Sequence, residues 1–145
     1  SYRPKKKKAS NLLDLIHTNV CSPINVAGTN RERYFVLFID DYSRMAYVMV
    51  IHKKRQVLDC IKTYRRIVEN DTGRTIKVLR SDNRGEYTSI EFENYLEKHE
   101  IQHEVDAVRT PQQNGVVKRR NQQVNNMVRT MLIESRISRH YWKEV

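Results

Sequence analysis

An α/β domain built on a mixed sheet is the fold class this sequence predicts, and three observations predict it. Apolar segments of strand-like composition come first and in close succession, at 12–20, 33–41 and 45–52. Beyond residue 55 the apolar period lengthens to helical steps, and helices then alternate with strands. With 145 residues the chain fits one domain, long enough to bury a sizeable core.

The elements follow in order. LLDLIHTNV (12–20) reads as a strand, and RYFVLFIDD (33–41) as a longer, more buried one. MAYVMVIH (45–52) comes after the turn DYSR, so the second and third strands form a hairpin. In QVLDCIKTYRRIVEN (56–70), Val57, Ile61, Tyr64 and Val68 lie at helical spacing, and Asp71-Thr72-Gly73 supplies a glycine for the helix exit. IKVLRSD (76–82) is a fourth strand, with Ile76, Val78 and Arg80 opposite Lys77, Leu79 and Ser81. Ser89 can cap a helix through EFENYLEKH (91–99), whose first turn carries Glu91 and Glu93. IQHEVDAV (101–108) is a short fifth strand. A long helix is expected from about 115 to 136, because Val117, Val124, Met127, Val128, Met131 and Leu132 share one face. HYWKEV reads as a further helix cut short at residue 145. Residues 1–11, with KKKK at 5–8, form a flexible basic leader, with nuclear import as a weaker reading, and residues 12–145 form the domain. Neighbouring domains are expected outside both boundaries.

Composition narrows the partners. A net charge of +10 points to a phosphate-bearing partner, since each neutralised phosphate releases counterions. Hydrophobic content of 39% and charged content of 30% suit a globular protein of the nucleus or cytoplasm. No apolar run approaches the roughly 20 residues that cross a bilayer, and no signal peptide is seen, so no membrane partner is expected. Cys21 and Cys60 lie far apart and read as small buried thiols in a reducing compartment. The five histidines do not pair with them at zinc-ligand spacing. On the long helix, Lys118, Gln122, Asn125 and Arg129 form a polar stripe beside the apolar face. Lys118 lies one turn in, where its side chain can point toward the sheet's carboxyl edge, the ligand-binding side of such architectures.

Four segments carry a family resemblance: LIHTNVCSPI (15–24), YFVLFIDDYSR (34–44), KVLRSDNRGEY (77–87) and TPQQNGVVKRRN (110–121). In order and spacing they resemble the integrase catalytic core of Ty1/copia-type LTR retrotransposons, within the retroviral integrase superfamily, across residues 12 to 145. The resemblance implies an RNase H-like fold, a five-stranded mixed sheet flanked by helices on both sides. It also implies chemistry on two aspartates and a glutamate. Clustered carboxylates hold two divalent cations, Mg2+ or Mn2+, which activate the nucleophile and stabilise the leaving oxygen of a phosphoryl transfer.

Carried over residue by residue, that triad falls on Asn19, Asp82 and Lys118, with the family's gap of 35 residues between the last two intact. Two of the three carboxylates are thus replaced, and the Lys118 ammonium is expected to pair with Asp82 and oppose metal entry. Arg84 stands where the family has a glycine, adding another cation. Asp14 lies an odd step from Asn19 and should face the other way. Asp40 and Asp41 match an acidic pair without metal duty in the family, and Glu86 sits on a loop. Ser22 and Arg109 are further departures near the site, whereas the apolar pattern is undamaged. No intact catalytic residue set, no metal and no cofactor are therefore expected.

The leading expectation is a catalytically inactive, domesticated integrase core that binds nucleic acid with low sequence specificity, DNA in preference to RNA. Gln112, Gln113, Asn114, Lys118, Arg119, Arg120, Gln122, Arg129 and Arg84 are the candidate contacts, offering donors suited to phosphates and sugars. An alternative is a protein-interaction module: the resemblance implies a homodimer, with Tyr64, Tyr141 and Trp142 as candidate interface residues and a host protein as a further partner. An active metal-dependent DNA integrase is the third reading.

Overall fold

A computed structural model describes residues 9–25, 32–106 and 140–144, without the side chains of 22–25, 32 and 140–144. Strands β1 (Leu15–Asn25), β2 (Glu32–Asp40) and β3 (Met45–Ile51) form an antiparallel meander. Helix α1 (Val57–Thr72) then carries the chain over the sheet to β4 (Val78–Ser81), which pairs parallel with β1. A single turn α2 (Gly85–Thr88) and helix α3 (Ile90–Lys98) lead to β5 (Gln102–Val105), parallel with β4. β6 (His140–Glu144) pairs antiparallel with β3, giving the order β5-β4-β1-β2-β3-β6. All five predicted strands are present, and the sheet is mixed.

Three local differences from the sequence reading have physical causes. Leu12–Asp14 are not strand, because Leu13 adopts φ +65° and donates its N–H to the Asp40 carboxylate at 2.9 Å. β1 instead runs on to Asn25, and its pairing with β2 shifts between Cys21 and Ile24. Pro23 lies in that irregularity, where its missing N–H costs no ladder bond. His140–Glu144 of HYWKEV, read as helical, form the β6 edge strand. Five residues are too few to show a period, and Tyr and Trp suit a strand wherever an edge is free to pair. The helix expected over 115–136 lies outside the described residues.

Residues 35–39 explain why the second strand reads as continuously apolar. Val36 and Phe38 face one layer of core, whereas Phe35, Leu37 and Ile39 face the other with Cys21, Ala46 and Val48. A strand buried on both faces has no polar side to show. On the first face Ile16, Val20, Phe38 and Met49 pack against Ile61, Tyr64 and Val68 of α1, with Tyr87, Phe92 and Leu96 from α2 and α3. Tyr64 is fully buried there, stacked on Phe38 at 4.4 Å between ring centroids and edge-on to Tyr47 at 5.7 Å. This corrects its assignment to a dimer interface: its area is already spent in the chain's own core.

Candidate nucleic-acid interface at the carboxyl edge

Because β1 and β4 run parallel, their carboxyl ends open on the same edge. Ile16 lies beside Leu79 and His17 beside Arg80, an offset that carries Asn19 alongside Asp82. Asn19 sits across from Leu37 on β2, hence on the sheet face of Leu37 and Cys21. Thr18, one residue earlier, faces the other layer, where its hydroxyl and that of Tyr87 share a buried 3.0 Å hydrogen bond.

Asp82 follows the last residue of β4 and is half-buried. Its Oδ1 accepts from the Arg84 N–H at 2.9 Å, and its Oδ2 lies 3.3 Å from Arg84 Nε. Arg84 thus stands beside Asp82, whereas Lys118, the cation expected to pair with it, lies outside the described residues. Arg84 also caps α2 with φ −74°, a conformation open to any L-residue. Glu86, in the first turn of α2, brings a second acid to this corner, and its Oε1 is buried without a hydrogen-bond partner among the described residues. Burial pushes the Tyr87 hydroxyl far above its ordinary range; the Thr18 bond opposes this, and the charges of Asp82 and Glu86 add to it. Tyr87 is thus a neutral hydroxyl at every physiological pH. Burial likewise lifts the Cys21 thiol to about 11 despite the opposing charge of Arg84, and the Cys60 thiol to about 12. Both thiols are buried and unreactive, as expected for core positions.

A partly buried relay fixes the strand end that carries Asp82. Ser81 Oγ lies 2.7 Å from His103 Nε2 on β5, and His103 Nδ1 lies 2.5 Å from Glu93 Oε1 on α3. An ionised Glu93 can only accept, so Nδ1 carries the proton. Ser81 Oγ in turn donates to the Asp82 carbonyl oxygen at 2.9 Å, so the relay ends on the backbone of Asp82 itself. Sequence reasoning missed this relay, which joins residues 22 and 10 positions apart and follows no motif. Arg80 clamps the same two strands by donating to Glu104 from Nε and from one terminal nitrogen, at 3.0 and 2.7 Å.

Three of the rejected rescue acids, Asp14, Asp40 and Asp41, have structural partners. Asp14 pairs with Lys77 at 3.3 Å, and Asp40 and Asp41 tie turns to the sheet. Among the described residues, no group of three or more His, Cys, Asp or Glu is placed to hold a metal ion. Gln112, Gln113, Asn114, Lys118, Arg119, Arg120, Gln122 and Arg129 lie outside the described residues. Tyr141 and Trp142 lie on β6, opposite Val48 and Tyr47 of β3. No helix among the described residues is long and apolar enough to cross a membrane.

Comparison with known proteins places this geometry. Residues 12–111 match the integrase core domain model. The chain is 41% identical over 144 residues, 99% of its length, to the retrovirus-related Pol polyprotein from transposon TNT 1-94 of Nicotiana tabacum. It is 26% identical over 129 residues, 88% of its length, to the truncated transposon Ty1-A Gag-Pol polyprotein of Saccharomyces cerevisiae. In each case it spans only 11% of the relative. The HTLV-2 integrase catalytic core domain in complex with magnesium superposes with a TM-score of 0.61 at 16% identity, covering 87% of this chain and 76% of that one. Sheet order, motif placement and these matches agree: the chain belongs to the integrase core domain family, resembles its Ty1/copia-type retrotransposon members, and has the RNase H-like fold.

Proposed function

We propose that this domain is a catalytically inactive, domesticated integrase core that binds nucleic acid, DNA in preference to RNA, with low sequence specificity. The observation that carries the reading is the capture of Asp82, the one triad acid kept, by the Arg84 side chain and backbone. With Asn19 and Lys118 at the other two positions, the formal ligand charge falls from three negative to zero. Two divalent cations need several hard, anionic oxygens. The triad residues present do not fit them, and Glu86 alone does not restore the set. Losing acids and gaining cations at a sheet's carboxyl edge reduces repulsion of a phosphate backbone.

The state of the core supports retention of the fold without the chemistry. Among the described residues, the buried polar side chains Thr18, Asp40, Asp41 and Ser81 have hydrogen-bond partners. Random decay would leave unpaired polar groups there at a cost of about 1–3 kcal/mol each.

Magnesium titration followed by thermal shift and nicking assays tests the dead site. The chain as it stands is expected to show neither metal-dependent stabilisation nor nicking, and the Asn19→Asp/Arg84→Gly/Lys118→Glu revertant to gain metal binding. Magnesium binding or nicking by the unreverted chain would refute the reading. Nucleic-acid affinity is expected to fall steeply with salt, and undetectable binding at low salt would leave the interaction-module alternative standing. That alternative draws on the dimeric and trimeric forms of the HTLV-2 core and on the edge position of Tyr141 and Trp142.

A further inference from the structure

We propose that the turn at residues 52–55, which leaves β3 for α1, is a second contact for the sugar–phosphate backbone of nucleic acid, on the same sheet edge as Asp82 and Arg84. This rests on the nucleic-acid reading above and adds a surface to it.

The turn reads His52-Lys53-Lys54-Arg55, and all four side chains are exposed. Among the other cations on the described surface, Arg44 has Asp41, Arg65 has Glu69, Arg80 has Glu104, Lys77 has Asp14 and Arg84 has Asp82. Lys53, Lys54 and Arg55 have no ion-pair partner among the described residues. Three consecutive unneutralised charges repel one another, and an anionic ligand relieves that repulsion.

The turn is held in shape rather than left loose. Gln56 Oε1 accepts hydrogen bonds from the backbone N–H groups of both His52 and Lys53, each at 2.9 Å. Lys54 Nζ lies 5.7 Å from the centroid of the Tyr34 ring, a cation–π contact that holds this charge against β2. Fixed cations lose less conformational entropy on binding than free ones.

Topology supplies the alignment. β3 runs parallel to β1 and β4, so the end of β3 and the end of β4 open on one edge. Three strand spacings, about 14 Å, separate β3 from β4 across the sheet, and the register sets the end of β3 three residues, roughly 10 Å, further along than Asp82, a span of duplex carrying on the order of ten phosphate charges. Lysines act as point charges toward phosphates and carry no base code, which agrees with weak sequence preference.

Fluorescence anisotropy with a labelled duplex of about 30 base pairs, read across a potassium chloride series, tests the assignment. The turn variant is Lys53→Ala/Lys54→Ala/Arg55→Ala. The charge-matched control is Arg74→Ala/Lys77→Ala/Lys98→Ala, whose residues precede β4 and β5 at the opposite edge. The turn variant is expected to bind about tenfold more weakly at low salt, with a salt slope shallower by about two to three; the control changes by less than about threefold. Single Lys53→Ala and Arg55→Ala variants, with melting curves to confirm folding, should each reduce the slope by about one. Wild-type affinity and slope in the turn variant, or equal losses in turn variant and control, would overturn the assignment and leave the function above intact. Failure of the unaltered chain to bind at any salt would instead remove the function, and this contact with it.

Discussion

Asp40 and Asp41 at the end of β2 join three separate stretches of chain. Asp40 accepts from Leu13 N–H at 2.9 Å and from Ser43 N–H at 2.8 Å. Leu13 is a buried leucine in the left-handed region, and that strained conformation persists because the carboxylate holds its N–H. Asp40→Ala strands both donors, and urea denaturation is expected to show a loss of about 3 kcal/mol or more. Asp41 accepts from Ala9 N–H and from His17 Nε2, both at 2.8 Å, with Arg44 3.6 Å away. Burial pushes its carboxyl up, but these partners together outweigh burial and hold it below the ordinary 3.8. A depressed acid contributes stability that is complete above its unfolded value and disappears as pH falls through the folded one. Urea midpoints should therefore drop as pH falls below about 4, whereas Asp41→Asn, weaker at neutral pH, should follow a flatter curve there. An unchanged acid limb in Asp41→Asn would assign that loss to other carboxylates.

At the level of elements, Tyr64 shows how a helix face can be read correctly and used wrongly. The spacing of Val57, Ile61, Tyr64 and Val68 put them on one face of α1, and all four are buried. The dimer role assigned to Tyr64 fails because that face already packs on β2 and β3. Tyr64→Ala is expected to cost about 3–5 kcal/mol in denaturation, a core cavity rather than a weakened surface. Gly73 leaves α1 at φ +68° and Ser89 accepts from the Phe92 N–H at 3.2 Å, so both punctuation signals were legible. α2 was not, since four residues carry no period, and β6 was not, since its conformation depends on the free edge of β3. At the site, Asp82 and Arg84 were legible from their motif. The bond between them depends on the local turn, and the Ser81–His103–Glu93 relay on parallel pairing of β4 with β5; neither is written in a short window. His103→Ala should loosen the end of β4, with faster amide exchange at Ser81 and Asp82 than in the wild type.

For the molecule as a whole, the sheet divides labour between its ends. The carboxyl ends of β3 and β4 carry the basic turn and the Asp82–Arg84 pair, while the outer flank of β3 is closed by β6. β3 is almost wholly buried and apolar, so without β6 it would offer a long, flat row of unpaired N–H and C=O groups. β6 therefore has two competing roles: guarding this edge within one chain, or carrying Tyr141 and Trp142 into a contact between two. Ending the chain at residue 139 separates them. An edge guard predicts that the shortened chain melts lower and self-associates at micromolar concentration, while Tyr141→Ala/Trp142→Ala, which keeps the strand backbone, stays in the parent's oligomeric state. An interface predicts the reverse, with dimers in the parent and monomers in both variants. Backbone pairing across five residues of β3 favours the edge guard. Light scattering after size exclusion reads the outcome directly, and a monomeric, undiminished shortened chain would leave β6 without either role.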